Sequence, residues 1–351
     1  MAEPALTQAL DAVASGRDLS ADQAAEVLAC IMAGEATEVE IAGFLIALRT
    51  KGETVEEVAG LARTMRALAA PVAADRDDLL DTAGTGGGRR TFNVSTTAAL
   101  IAAAAGCAVA KHGNRSATGL SGSADVLEAL GARIDLEPDG VARCIDEVGF
   151  GFMFAPAHHP ATRFVVPVRK ELGVRTVFNL LGPLTNPAGA RRQLVGVSDP
   201  AQLELVAGAL ALLGAERALV VSSDDGLDEM STGGRTHVVE VTGPGDAGET
   251  DIDRYVLGPE DVGLAPAPPE AVAGGTPEQN AETARRIFAG EPGPARDLAV
   301  LNAGAAIYVA GAAESVAAGA RAAEAAIDEG AAERTLHDFV AKTEELAPTP
   351  A

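Results

Sequence analysis

The sequence predicts an α/β fold, with a small N-terminal helical domain ahead of a larger α/β domain built on a mainly parallel central sheet flanked by helices. Three observations predict it. Residues 5–70 carry helical periodicity and helix-start signals without strand-like alternation. From about residue 77, short β-prone runs recur at 107–110, 133–136, 194–197, 218–222 and 237–241, with helical runs such as 200–213 between them. Residues 81–125 read in order as strand, glycine-rich turn, helix, strand and polar loop.

Residues 5–70 are expected to form four helices. Three start signals pair a hydroxyl with an acid or amide three residues on: Ser20 with Gln23, Thr37 with Glu40, and Thr54 with Glu57. Ile41, Phe44, Leu45 and Leu48 recur at helical spacing, as do Val58, Leu61, Met65 and Leu68. Gly34 and Gly52 fall where C-caps belong, and Pro71 closes the region. Such a bundle buries too little surface to stand alone comfortably, so it is expected to pack on the rest of the chain and on a second subunit.

The stretch 81–125, DTAGTGGGRRTFNVSTTAALIAAAAGCAVAKHGNRSATGLSGSAD, organises the remainder. A strand ends near Asp81, four glycines follow at 84, 86, 87 and 88, and a helix is expected to start near Ser95. Glycines permit close backbone approach, and a helix N-terminus behind them favours negative charge. Lys occurs only at 51, 111, 170 and 342, so the run Lys111-His112-Gly113-Asn114-Arg115 stands out from the composition. The two loops together suggest a cradle for pyrophosphate and phosphate. Backbone N–H groups of Gly84 to Gly88, the hydroxyls of Thr91, Ser95 and Thr96, and the charges of Lys111 and Arg115 would line it. Further on, residues 160–172 and 175–181 read as helices, 243–275 as surface loops, and the chain after Thr276 as helical to about 346.

The 351 residues carry 27 Lys and Arg against 50 Asp and Glu, a net charge of −23. That balance argues against non-specific nucleic-acid binding. Aromatic residues are 3% of the chain and Trp is absent, so the core must be built from Ala, Val, Leu and Ile. The three cysteines lack metal-ligand spacing and read as reduced thiols in a cytoplasmic protein. No targeting segment and no membrane span are expected.

The runs GTGG at 84–87, TFNVST at 91–96, KHGNR at 111–115 and SGSAD at 121–125 resemble the anthranilate phosphoribosyltransferase family, of the nucleoside-phosphorylase-like class. VRKELGVRTVFNLLGPLTNPA at 168–188, LDEMS at 227–231 and GGTPEQNA at 274–281 extend the resemblance over roughly residues 5–330. It implies transfer of a 5-phosphoribosyl group from phosphoribosyl pyrophosphate to the amine of anthranilate, a step of tryptophan biosynthesis. A relative using the same donor with another aromatic acceptor is the alternative. The donor would lie on Gly84, Gly87, Gly88, Thr91, Asn93, Val94, Ser95, Thr96, Lys111, His112, Gly113, Asn114, Arg115 and Ser123. The acceptor would meet Gly84, Asn114, His159 and Arg169. Ser95, Asp228 and Glu229 would hold Mg²⁺, as two ions, and no side chain is needed as acid or base. Asp224 and Asp225 do not match the motif. The resemblance also implies a homodimer formed through a small domain of residues 1–72, to which 160–190 cross back, with 73–159 and 191–351 as the α/β domain.

Three places depart from the family pattern. Gly88-Arg89-Arg90 shortens the first loop by one residue and omits its acid, Thr118-Gly119-Leu120 replaces Ser-Ser-Lys, and Thr162 follows His159-Pro160-Ala161 where the family has Met. In so acidic a chain, Arg89 and Arg90 are expected to supply the donor-facing charge that Leu120 does not.

Overall fold

The structure, a computed structural model, describes residues 4–116, 119–244 and 250–347; Thr118 of the second altered loop lies outside them. Four helices open the chain: α1 (Pro4–Ala14), α2 (Ala21–Ala33), α3 (Glu38–Lys51) and α4 (Val55–Ala67). All three hydroxyl starts form reciprocal caps, with Gln23, Glu40 and Glu57 returning the bond. Glu57 goes further. Its carboxylate is fully buried and also accepts from the Leu19 N–H and the Lys51 ammonium, so the cap doubles as a core tie.

The described residues form one seven-stranded sheet of β1 (Leu80–Gly84), β2 (Val109–Gly113), β3 (Phe150–Phe154), β4 (Arg192–Gly196), β5 (Arg217–Ser223), β6 (Thr236–Thr242) and β7 (Asp251–Leu257). Its order is β3-β2-β1-β4-β5-β6-β7. The first five strands in chain order pair in parallel, and β6 and β7 add on antiparallel. The chain winds outward from β1 in one direction through β2 and β3, then returns to lay β4 on its other side. That reversal makes the C-terminal ends of β1 and β4 the switch point where open α/β sheets leave a crevice. Gly84 and Gly196 face each other there in register.

Side chains alternate across the sheet, and two cores result. Leu194, Leu219, Val221 and Val238 join one core with α5 (Val94–Ala104), α6 (Ser123–Leu130), α7 (Pro138–Val148), and the run α12 (Pro277–Phe288), α13 (Pro294–Val309), α14 (Val316–Asp328) and α15 (Ala331–Leu346). Their neighbours Val195, Val220, Val239 and Val241 join the other, shared with α1–α4 and α11 (Leu203–Leu212). After the short α8 (Ala155–His158), a 3-10 turn at Pro160–Phe164, α9 (Val166–Leu172) and α10 (Phe178–Leu184) belong to this second side, packed on α2, α3 and α4 respectively.

Some expectations fail. Lys111 and His112 are inside β2 rather than at the head of a loop, so strand alternation sends their side chains to opposite faces. The run 133–136 forms no strand and joins no sheet. Residues 243–275 are not loops throughout: β7 lies among them, with 3-10 turns at Pro259–Val262 and Pro269–Val272. As an edge strand exposed along most of its length, β7 lacks the apolar alternation that marks a half-buried strand.

Candidate active site

At the end of β1 the Thr85 N–H bonds the Gly196 carbonyl (2.8 Å), and the chain turns through Gly86 and Gly87 at φ +63° and +90°. The segment Asp228-Glu229, reached from β5, lies against this turn. A Cβ on Gly88 would sit 2.4 Å from Asp228 Oδ1, and one on Gly196 only 1.6 Å from the Asp228 carbonyl oxygen. Gly84 is similarly close, at 3.1 Å from Oδ2. The Gly86 N–H adds a hydrogen bond to Asp228. Asp228 is thus fitted onto the ends of β1 and β4 by the absence of side chains there.

Glu229 joins the loop to the helix behind it. Its Oε1 accepts the Ser95 N–H in the first turn of α5 (3.0 Å), and the Thr91 hydroxyl is a second partner. Below, Lys111 Nζ reaches from β2 to the Thr82 carbonyl, Thr82 Oγ1 (3.1 Å) and Ser95 Oγ (3.4 Å). Asp228 and Glu229 each keep some surface open to the cleft while protein encloses the rest. Burial, with Asp228 alongside, pushes Glu229 up to about 8, and burial also raises Asp228. Burial pushes the Lys111 ammonium down to about 8. Two crowded carboxylates beside a hydroxyl are short of positive charge, which is the environment a hard dication suits. Among the described residues no group of three or more His, Cys, Asp or Glu is placed to hold a metal unaided. The remaining ligands would have to be water or substrate oxygens.

The first and second loops are tied through Asn93. Its Oδ1 accepts from Ser121 Oγ and from Asn280 Nδ2 (2.8 Å each), and its Nδ2 donates to the Ser121 carbonyl. Val94 is buried, and Thr96 Oγ1 is buried without a partner. Gly113 ends β2 against Ser123, the first residue of α6. Asn114 Oδ1 takes the Arg115 N–H (2.7 Å). The Arg115 guanidinium, counted as donor-facing, is instead held by Asp125 (2.8 Å) and Glu128 (2.5 Å) on α6. Arg89 does not supply free charge either. It pairs with Asp225 (2.9 Å) and donates to the Pro269 carbonyl, so the acid set aside as a mismatch anchors this arginine. Leu120 is exposed.

On the helical side of the cleft, His112 and His159 pack with ring centroids 5.0 Å apart. His112 Nδ1 meets the Gly182 carbonyl (3.2 Å) and therefore carries the proton; His159 has the Thr185 backbone as its partner. Burial pushes them down to about 3 and about 4, so both are neutral at physiological pH, each with a buried Nε2 lacking a partner. Thr162 turns its hydroxyl onto the His159 carbonyl (2.7 Å). The Arg169 guanidinium lies over the Phe178 ring at 5.3 Å with no ion pair among the described residues. Burial lowers its pKa.

Residues 7–69 match the glycosyl transferase family's helical bundle domain, and 76–333 match that family's a/b domain. The anthranilate phosphoribosyltransferase of Rubrobacter xylanophilus is 52% identical over 97% of this chain and 98% of its own length. That of Moorella thermoacetica is 52% identical over 95% and 97%. The chain belongs to the anthranilate phosphoribosyltransferase family. The crystal structure of the family member from Thermus thermophilus superposes with a TM-score of 0.89 at 48% identity, covering 96% of this chain and 99% of that one. The Saccharomyces cerevisiae enzyme in complex with PRPP (phosphoribosyl pyrophosphate) and Mg superposes at 0.88 with 27% identity, covering 98% and 99%.

Several residues that build this anthranilate phosphoribosyltransferase cleft escaped the sequence reading. Asp81, fully buried, receives the His112 N–H and Asn186 Nδ2, fastening β1, β2 and the loop that follows α10 together. Arg175 donates to the carbonyls of Thr85 and Gly86. Asn280 gives the GGTPEQNA run its place, through Asn93 and the Gly275 N–H. The only available signal was membership of a quoted motif, because each acts on a partner far away in the chain.

Proposed function

We propose that this protein transfers the 5-phosphoribosyl group of phosphoribosyl pyrophosphate to the amine of anthranilate, releasing pyrophosphate, in tryptophan biosynthesis. One observation carries the reading: the glycine turn, the start of α5 and the Asp228-Glu229 pair meet at the switch point of the sheet, where Ser95 N–H bonds Glu229. Such a meeting of N–H donors and carboxylates suits a diphosphate bridged by a metal.

The donor lies along Gly84, Gly87, Gly88, Thr91, Asn93, Val94, Ser95 and Thr96, with Lys111, His112, Gly113, Asn114, Arg115 and Ser123 lining the second loop. Arg115, whose N–H is on Asn114 and whose guanidinium is on Asp125 and Glu128, would reach the donor by releasing those acids. Asp228, Glu229 and Ser95 Oγ hold Mg²⁺, as two ions. A metal held there would supply positive charge against the negative charge that builds on the departing pyrophosphate. The half-buried Arg169, free of any carboxylate partner among the described residues, receives the carboxylate of anthranilate through its planar fork. Asn114, His159 and Gly84 bound the acceptor, whose amine is neutral at pH 7 and needs no strong base. The chain's own contribution is therefore positioning and exclusion of water.

The same reading divides the chain into a small helical domain of residues 1–72, with 160–190 crossing back to it, and an α/β domain of 73–159 and 191–351. The family resemblance supports a homodimer through the helical side. No helix among the described residues is long and apolar enough to cross a membrane, and the reading places the enzyme in the cytoplasm. The test is an assay of anthranilate consumption with donor and Mg²⁺, alongside other arylamines. Turnover unchanged by EDTA, or preferential use of another amine, would contradict it.

A further inference from the structure

Arg175 lies between α9 and α10, in the segment packed on α3 and α4. Arg49, in the last turn of α3, donates to its carbonyl (2.7 Å) and pins the backbone there. The Arg175 guanidinium then spans to the other side of the cleft. Nη1 donates to the Gly86 carbonyl (2.7 Å) and Nη2 to the Thr85 carbonyl (3.1 Å). Gly87 makes the approach possible, since a Cβ there would fall 2.3 Å from Nη1. Ser198 Oγ adds a second bond to the Gly86 carbonyl (3.1 Å).

Peptide units are planar and trans, so fixing a carbonyl fixes the following N–H on the opposite edge. Clamping the carbonyls of Thr85 and Gly86 therefore aims the N–H groups of Gly86 and Gly87 away from Arg175. The Gly86 N–H is indeed found on Asp228. Two consecutive glycines at positive φ have many other conformations open to them, and the clamp selects one. The charge matters as well. Arg89 is paired with Asp225, Arg115 with Asp125 and Glu128, and Lys111 is buried under Ser95. Arg175 spends its hydrogen bonds on carbonyls rather than on a carboxylate, and its charge lies near enough to Asp228 to favour that carboxylate's ionised form.

We propose that Arg175 is the positioning residue of the anion loop: its fork holds two successive carbonyls so that the Gly86 N–H stays on Asp228 while the Gly87 N–H edge faces the diphosphate of the donor, and it places a guanidinium charge beside that diphosphate. This rests on the reading that the loop binds the donor.

Steady-state kinetics of Arg175→Ala and Arg175→Lys, with thermal unfolding of each, test it. Loss of two charge-assisted bonds is expected to raise the donor KM roughly 10- to 100-fold in Arg175→Ala, with the anthranilate KM changed less than about twofold. Lys keeps the charge but not the fork, so Arg175→Lys should fall between wild type and Ala. A donor KM within twofold of wild type in folded Arg175→Ala overturns the proposal. So does an equal rise in both KM values, which is what general loosening of the domain contact would give. Calorimetry of the wild type with inorganic pyrophosphate and Mg²⁺ separates the two readings. A wild type that neither binds pyrophosphate nor turns over removes both, whereas an active wild type with an indifferent Arg175 removes this inference alone.

Discussion

Gly196→Ala is expected to disable the enzyme while leaving it folded. The added Cβ would lie 1.6 Å from the Asp228 carbonyl oxygen and 2.5 Å from its carbon. One of the two backbones must retreat by about 1.4 Å to reach even a tight 3.0 Å separation. β4 cannot yield cheaply, because Gly196 is in register with Gly84 of β1 on one side and Val221 of β5 on the other. Its carbonyl also holds the Thr85 N–H. The Asp228-Glu229 segment is anchored by fewer bonds and gives way. Overpacking of this kind costs about 1–3 kcal/mol of stability. A displacement near 1 Å in a positioned group costs roughly a hundredfold in rate. The assay is kcat/KM for anthranilate consumption beside the thermal midpoint, with Gly140→Ala on α7 as control. There the Cβ would meet Leu136 at an ordinary 3.5 Å. Gly196→Ala retaining kcat/KM within threefold of wild type would refute the argument that glycine at this register point seats Asp228.

Asp228→Asn combined with Glu229→Gln should abolish most turnover and Mg²⁺-dependent binding of inorganic pyrophosphate. Its thermal midpoint at pH 8 should be no lower than wild type's, because Glu229 sits at about 8 when folded against an ordinary 4.5, so ionising it costs stability as pH rises through that interval. A much lower midpoint would show that the pair holds the fold rather than a metal. Arg169→Ala should raise the anthranilate KM about 10- to 150-fold with little change for the donor, as expected for loss of a charge-assisted bidentate pair; a donor-selective effect would place the helix in the wrong half of the site. His112 is held at about 3 when folded against 6.5, so the stability it contributes is present above 6.5 and lost as pH falls, by about 3 kcal/mol between pH 6.5 and 4. Urea titrations of His112→Gln should show a shallower acid loss than wild type, and an equally steep curve would mean that other groups drive it.

Much of the chain was legible because the interactions concerned are local. The caps at Ser20, Thr37 and Thr54 each close within one helical turn, so four letters of sequence contain the capping interaction. Gly34 reads as a C-cap and is one, at φ +78°, because only the backbone at that residue is at issue. The order of strand, glycine turn and helix over 80–104 is equally local. The family resemblance reached further, to the pairing of a glycine turn with Asp228-Glu229, and the two do meet.

What the sequence by itself determined, then, was the class of fold, the capped helix starts of the N-terminal bundle and the motifs to be gathered at one edge of a sheet. The tertiary structure alone decided what each long side chain does there. Lys111, Arg89 and Arg115 are all cations within the quoted stretch, yet a buried hydroxyl pair, Asp225, and the acids of α6 claim them. The cation that holds the glycine turn is Arg175, nearly a hundred residues away, delivered by helices that pack on α3. β7 was invisible for the complementary reason: its exposed, acidic alternation becomes a strand only because β6 offers an edge. A side chain several rotatable bonds long can choose among partners within its reach, and sequence spacing does not rank partners brought together by a crossover in the sheet.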